Sequence, residues 1–162
     1  MNWLQPKVYA VKHKDEEIRA ASRSGGIFTA LSDLVLDDGG IVYGCVLTED
    51  FTAVHIRAEN VAERNRMRGS KYIQSKLGDT FKNVQKDLDT GRSVLFSGTS
   101  CQVAGLKQFL REEYNNLFSC RYRMSRCTKY CCVEKLLTLA GAEESWQGGK
   151  GGFQKQKGFW VA

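Results

Sequence analysis

Ser93-Val94-Leu95-Phe96-Ser97-Gly98-Thr99-Ser100-Cys101-Gln102-Val103-Ala104-Gly105-Leu106 changes its period halfway along. Val94, Leu95 and Phe96 make a compact apolar run, the pattern of a buried strand. Ser97 to Ser100 are small and polar, which suits a tight loop. From Cys101 onward, Val103, Leu106 and Leu110 recur at helical spacing. A strand that feeds directly into a helix is the repeating unit of layered α/β domains.

The same alternation continues on either side of this unit. Upstream, Leu77, Phe81, Val84 and Leu88 share one helical face, and Gly91 stands where a helix C-terminus wants glycine. Residues 59–68 are polar and predict a surface helix, broken at Gly69-Ser70-Lys71-Tyr72. Ile41 to Val46 reads as a buried strand, with Ala53–Ala58, including His55, as its neighbour. Ile27, Phe28, Leu31, Leu34 and Val35 predict another helix, ended by Asp37-Asp38-Gly39-Gly40. Lys7 to Val11 reads as a first strand; a charged stretch, Lys12 to Arg19, and a flexible loop, Ser22 to Gly26, follow it. There is no internal repeat. The expectation is an α/β fold: a mixed sheet with flanking helices near 27–36, 78–89 and 101–113, in a single domain over residues 7–118, followed by an irregular C-terminal tail.

Composition bounds the alternatives. The chain has 162 residues, 42% hydrophobic and 26% charged, which excludes a disordered or collagen-like polymer. No run of about 18 apolar residues is present, so no membrane span is expected. The first residues lack a signal-peptide layout, which favours a cytoplasmic protein over a secreted disulfide scaffold despite six cysteines. Residues 1–118 carry 16 Lys and Arg against 15 Asp and Glu, whereas residues 119–162 carry 8 against 3. The net charge of +6 is therefore mostly a property of the tail. Four of the six cysteines, Cys120, Cys127, Cys131 and Cys132, lie there too. Their spacing is not the paired pattern of a zinc ribbon. A basic tail of this kind is usually a solvated extension, and the sharper alternative is a nucleic-acid-binding module.

Three loops have the composition to hold a ligand. Ser24-Gly25-Gly26 precedes a helix, so glycine lets a ligand approach the backbone and the free N–H groups attract anions. Gly69-Ser70-Lys71-Tyr72 offers an ammonium beside a phenol. Ser97-Gly98-Thr99-Ser100-Cys101 repeats the logic of the first loop and adds a thiol at a helix start, where thiol pKa values tend to fall. Each also has a plain structural reading, as a turn, a cap or a small packed residue. None is a Walker loop or a dinucleotide fingerprint.

Three stretches in order carry a resemblance: Ser22-Arg23-Ser24-Gly25-Gly26-Ile27-Phe28-Thr29-Ala30-Leu31, then Arg68-Gly69-Ser70-Lys71-Tyr72-Ile73-Gln74-Ser75, then Leu95 to Lys107. Together they resemble the coenzyme F-420 (F420) hydrogenase/dehydrogenase beta-subunit family, over about Lys7 to Phe118. The resemblance implies a flavoprotein with FAD and an iron–sulfur cluster, passing electrons between a deazaflavin (coenzyme F-420), ferredoxin or similar carrier and FAD. Other oxidoreductase subunits would be its partners, with nucleic acid the less favoured one. It further implies that Ser24, Gly25, Gly26, Thr29, Gly69, Ser70, Lys71, Tyr72, Gly98, Thr99 and Cys101 line the cofactor, and that Cys101 is the metal-ligand candidate. All three loops are expected on one face of the sheet. The family motif Gly-Thr-Pro-Cys-Gln here has Ser100 for its proline, a small departure because serine also suits a helix start.

After Phe118 the resemblance stops, and a Cys-His-Gly motif of the family is missing. Met124-Ser125-Arg126-Cys127 can be encoded ATG TCA CGG TGT; one base later the same bases read Cys-His-Gly. Continued from Cys120, that shifted reading begins Val-Asp-Ile-Val-Cys-His-Gly and runs on without a stop. The tail, residues 119–162, is therefore expected to be out-of-frame and poorly packed, and the nucleotide sequence around codons 115–125 decides the point. The chain is then either a fragment of a redox subunit or an inactive truncated remnant without cofactor. A cubane cluster usually needs four thiolates, and the in-frame candidates are Cys101 and, in a buried strand, Cys45.

Overall fold

The computed structural model describes residues 11–22, 24–122, 154–156 and 159–161. Its centre is a four-stranded mixed sheet built from β2 (Ile41–Leu47), β3 (Ala53–Ala58), β4 (Val94–Thr99) and β5 (Leu117–Tyr122), in the order β3-β2-β4-β5. β2, β4 and β5 are parallel, and β3 returns antiparallel to β2 as a hairpin. A second, antiparallel sheet joins β1 (Val11–His13) to β7 (Phe159–Val161) and β6 (Gln154–Gln156).

The apolar alternation along each strand sorts the helices into two layers. Val42 and Val46 of β2, Ala58 of β3, Leu95 of β4 and Phe118 and Cys120 of β5 pack with Leu31 and Val35 of α2 (Ile27–Asp37). Ile41, Tyr43, Val94 and Phe96 point the other way. They pack with Val84 and Leu88 of α4 (Thr80–Asp89) and Val103, Leu106 and Leu110 of α5 (Ser100–Leu110). The sheet is therefore covered on both faces, as parallel strands with continuous apolar runs require.

Two shorter helices complete the order: α1 (Glu16–Ser22), which begins inside the charged stretch Lys12 to Arg19, where no element was expected, and α3 (Val61–Asn65), shorter than the helix expected over 59–68. Asp15 starts α1 by accepting the N–H of Glu17 through its carboxylate at 2.8 Å. The turn from α2 into β2 needs its glycines: Gly39 has φ +69°, and a Cβ on Gly40 would sit 2.6 Å from the Ser93 carbonyl oxygen. α5 ends at Leu110, not at 113, because Arg111 turns to φ +59° and caps it.

β5 runs through the expected domain limit at Phe118. Ser119 and Cys120 are buried, so the packed sheet extends to Tyr122, past the seam in composition. Of the first expected strand, Lys7 to Ala10 lie outside the described residues; Val11 begins β1. Trp146, Phe153 and the greater part of the expected tail lie outside them as well. Among the described residues, no helix is long and apolar enough to cross a membrane.

Candidate functional site

Parallel strands put all their carboxyl ends on one side, and helices that follow or precede them there present N-termini to the same edge. α5 leaves β4 directly at Thr99. α2 runs back toward the start of β2, so its own N-terminus lies at the carboxyl end of the sheet. The first and third loops therefore share an end of the sheet. They do not share a face: α2 covers one side and α5 the other, which corrects the expectation of a single face.

The first loop is anchored on β1. The backbone N–H of His13 donates to the Gly25 carbonyl at 2.6 Å. Gly26 has φ +75°, and a Cβ there would lie 2.9 Å from the Cβ of His13. It precedes α2 with no side-chain cap, so the first-turn N–H groups have no hydroxyl or carboxylate of the usual capping kind. Ser24 is exposed, whereas Thr29 is buried and meets the Ser22 hydroxyl at 3.4 Å. Thr29 thus braces the helix start from within.

The second loop is organised around Lys71. Its ammonium donates to the carbonyls of Met67 and Arg68, both at 2.8 Å, and of Gly69 at 3.1 Å. An ammonium has three N–H donors, and these are all engaged. Burial pushes the Lys71 pKa down, while the nearby Cys45 thiol acts in the opposite direction. Lys71 is therefore a clamp on its own loop and is not extended toward solvent. Tyr72, next to it, is 96% exposed, and nothing lies within 4 Å of where a Cβ on Gly69 would be. Ser70 is also exposed.

The third loop is joined to the second. Gln102 accepts the Thr99 N–H at 2.9 Å, and its amide donates to the Ser75 hydroxyl at 2.8 Å. Ser100 occupies the first helical position, where a proline would fit equally well. Cys101 is exposed, with its sulfur 3.1 Å from the Thr99 hydroxyl. Gly98 is tight: a Cβ would meet Phe96 and Gln102 at 3.0 Å.

Beside these loops lie Cys45, weighed from sequence only as a second cluster thiolate, and His55, Ser75 and Gln102, which sequence reasoning did not assign to the site. Cys45 and His55 are opposite each other in the β2–β3 register. Burial raises the Cys45 pKa, opposed by Lys71 and by a hydrogen bond with Ser75. His55 stacks on Phe96 with ring centroids 5.5 Å apart, and its Nε2 lies 3.2 Å from the Ser97 carbonyl. With Nε2–H donating there, Nδ1 is enclosed without a partner. Burial lowers the His55 pKa. Gln102 and Ser75 both fall within the motif stretches, and their i+3 and loop-end positions were the available signal.

A cluster does not fit this site as described. Cys45 is half-buried, Cys101 exposed and Cys120 buried. Among the described residues, no group of three or more His, Cys, Asp or Glu side chains could hold a metal ion. The chemistry these loops offer is an N-terminus of α2 with no side-chain cap, an open glycine at Gly69 and an exposed aromatic ring at Tyr72, which suits an anionic group and a flat ring.

Residues 8–82 match the family model described as coenzyme F420 hydrogenase/dehydrogenase, beta subunit N-term. No curated protein matches the sequence. Among solved structures, a chain of the xenon-derivatised F420-reducing NiFe hydrogenase complex from Methanosarcina barkeri is similar in fold. It has a TM-score of 0.55 and 18% identity, over 93% of this chain and 58% of that chain. This chain therefore spans 58% of the length of that relative.

Proposed function

We propose, from the match of residues 8–82 to the coenzyme F420 hydrogenase/dehydrogenase beta-subunit family model, that the chain is the N-terminal part of a cytoplasmic, flavin-dependent redox subunit of that family. It would pass electrons between FAD and a deazaflavin, ferredoxin or similar carrier, alongside other oxidoreductase subunits. The observation that carries the reading is the Gln102 bridge. It links the start of α5 to Ser75, three residues beyond Tyr72, which supports a common rim for the Gly69–Tyr72 and Gly98–Cys101 loops.

In this reading the N–H groups at Gly26 and the start of α2 receive phosphate oxygens, and Tyr72 covers a flat ring. Lys71 holds the Gly69–Tyr72 loop in shape through its carbonyl contacts and does not pair with phosphate. A bound flavin supplies hydride and single-electron chemistry, for which the protein contributes position and field. The described residues offer no full ligand set for an iron–sulfur cluster, so no step is assigned to one. The tail beyond the sheet belongs to the same proposal as an out-of-frame segment, and the chain by itself should then bind flavin weakly.

Titrating FAD into the full chain, with flavin fluorescence as the signal, tests this. Saturable quenching is expected, with a dissociation constant on the order of 100 μM. Tyr72→Ala should weaken binding about tenfold, yet change stability by less than about 0.5 kcal/mol, because the side chain is 96% exposed. Equal affinity in Tyr72→Ala would remove the ring contact from the account.

A further inference from the structure

We infer that the seam between α2 and α3 binds an oxyanion of the phosphate class through Arg64 and Arg68. Arg64 is 1% exposed, and its Nη2 donates to the Asp33 carboxylate. Its Nε and Nη1 are enclosed with no hydrogen-bond partner. Arg68, one helical turn further along the chain, has an enclosed and equally unpartnered Nε. Buried donors are nearly always satisfied in folded proteins, so three such nitrogens in one place mark a missing acceptor.

The charges around the seam favour an anion as that acceptor. Arg64 and Arg68 both act on Asp33, as do His13 and, with the opposite sign, Asp37. Asp33 is the carboxylate that pairs with Arg64, and among the described residues Arg68 makes no ion-pair contact with a carboxylate. A water molecule could accept from these groups but would not offset their charge. A tetrahedral oxyanion offers several acceptor oxygens to two guanidiniums, the arrangement in which arginine is most effective. The seam opens to solvent on one side, since the Asp33 side chain is 33% exposed and Arg68 is half-buried. His13 places the Gly25–Gly26 turn beside the same cluster. The inference stands on these donors and does not rest on flavin binding.

The test is thermal unfolding of the full chain in inorganic phosphate against chloride of equal ionic strength. Phosphate should raise the midpoint saturably over the millimolar range, and chloride should not. Arg68→Met should weaken the phosphate effect at least about tenfold while leaving the midpoint in chloride near that of the parent. If Arg68→Met does not fold, Arg68→Lys keeps the charge, loses the planar donors and carries the same expectation. Competition of ADP with phosphate would assign the anion to a nucleotide, and independence from ADP would assign it to free phosphate; both support the site. An equal response to phosphate and chloride, or a folded Arg68 variant that responds like the parent, overturns it.

Discussion

Arg64→Met is expected to destabilise the fold by about 3 kcal/mol in chemical denaturation, among the largest losses available from any single charged residue here. Arg64 holds α3 against α2 through Asp33, and its side chain is 2% exposed. Removing it leaves the Asp33 carboxylate in the seam without its cation. Burial is the largest influence on both partners: it raises the Asp33 pKa and lowers that of Arg64. Each charge is thus disfavoured by the site more than the pairing repays, so the pair as a whole adds little stability although losing one half is costly. Arg64→Met combined with Asp33→Leu should therefore recover most of the loss.

The pH dependence follows from the same signs. A carboxyl group whose folded pKa lies above its unfolded value binds protons more tightly when folded, so it costs stability at neutral pH and the cost fades as pH falls. Without Arg64, which lowers the Asp33 pKa, that pKa rises further. The deficit of Arg64→Met should shrink between about pH 7 and pH 4. A deficit that is constant or grows with acidity would show that Asp33 is not the group left stranded.

The second large effect is expected at Gln102. Gln102→Leu removes both the acceptor for the Thr99 N–H and the donor to Ser75. The lost cap should cost about 1 kcal/mol. The lost bridge should uncouple two loops and weaken FAD about tenfold or more, because ordering them would then be charged to binding. Ser75→Ala separates the two roles: it keeps the cap and removes only the bridge. Its FAD affinity should fall with little change in stability. If Gln102→Leu lowers stability but both variants bind FAD like the parent, the bridge is a structural cap alone.

The strand–loop–helix unit at Val94–Leu110 was legible because its period changes from an apolar run to helical spacing within a few residues. β2, β3, α2 and α4 were legible for the same reason, and the structure bears out the mixed sheet with flanking helices. α1 was not: it is short and offers one large apolar residue, Ile18, and its start depends on the Asp15 side chain capping the helix, which hydrophobic spacing does not register. The end of α5 was misjudged because Arg111 adopts a left-handed conformation with no glycine to announce it. β5 passed unnoticed as a packed strand because Ser119 and Arg121 interrupt its apolar run, although Phe118 and Cys120 both face the core.

The loops themselves were visible as glycine and hydroxyl clusters; what joins them was not. Lys71 looked like a free ammonium because a sequence does not show the carbonyls it turns back to meet. Arg64 looked like one more charge in a polar stretch, since its burial depends on α2 lying across α3. The separation of α2 and α5 onto opposite faces is likewise a matter of crossover direction, which local patterns leave open.

If the three loops form one flavin-binding rim at the carboxyl end of the sheet, FAD must perturb all of them together. Backbone amide chemical shifts of the full chain, followed by NMR during FAD titration, decide this. The expected result is that Gly26 to Phe28, Gly69 to Tyr72 and Gly98 to Cys101 shift together along one saturable curve, while the opposite end of the sheet around Ser93 and Asn116 stays fixed. Shifts confined to a single loop, or centred on Ser93 and Asn116, would contradict it.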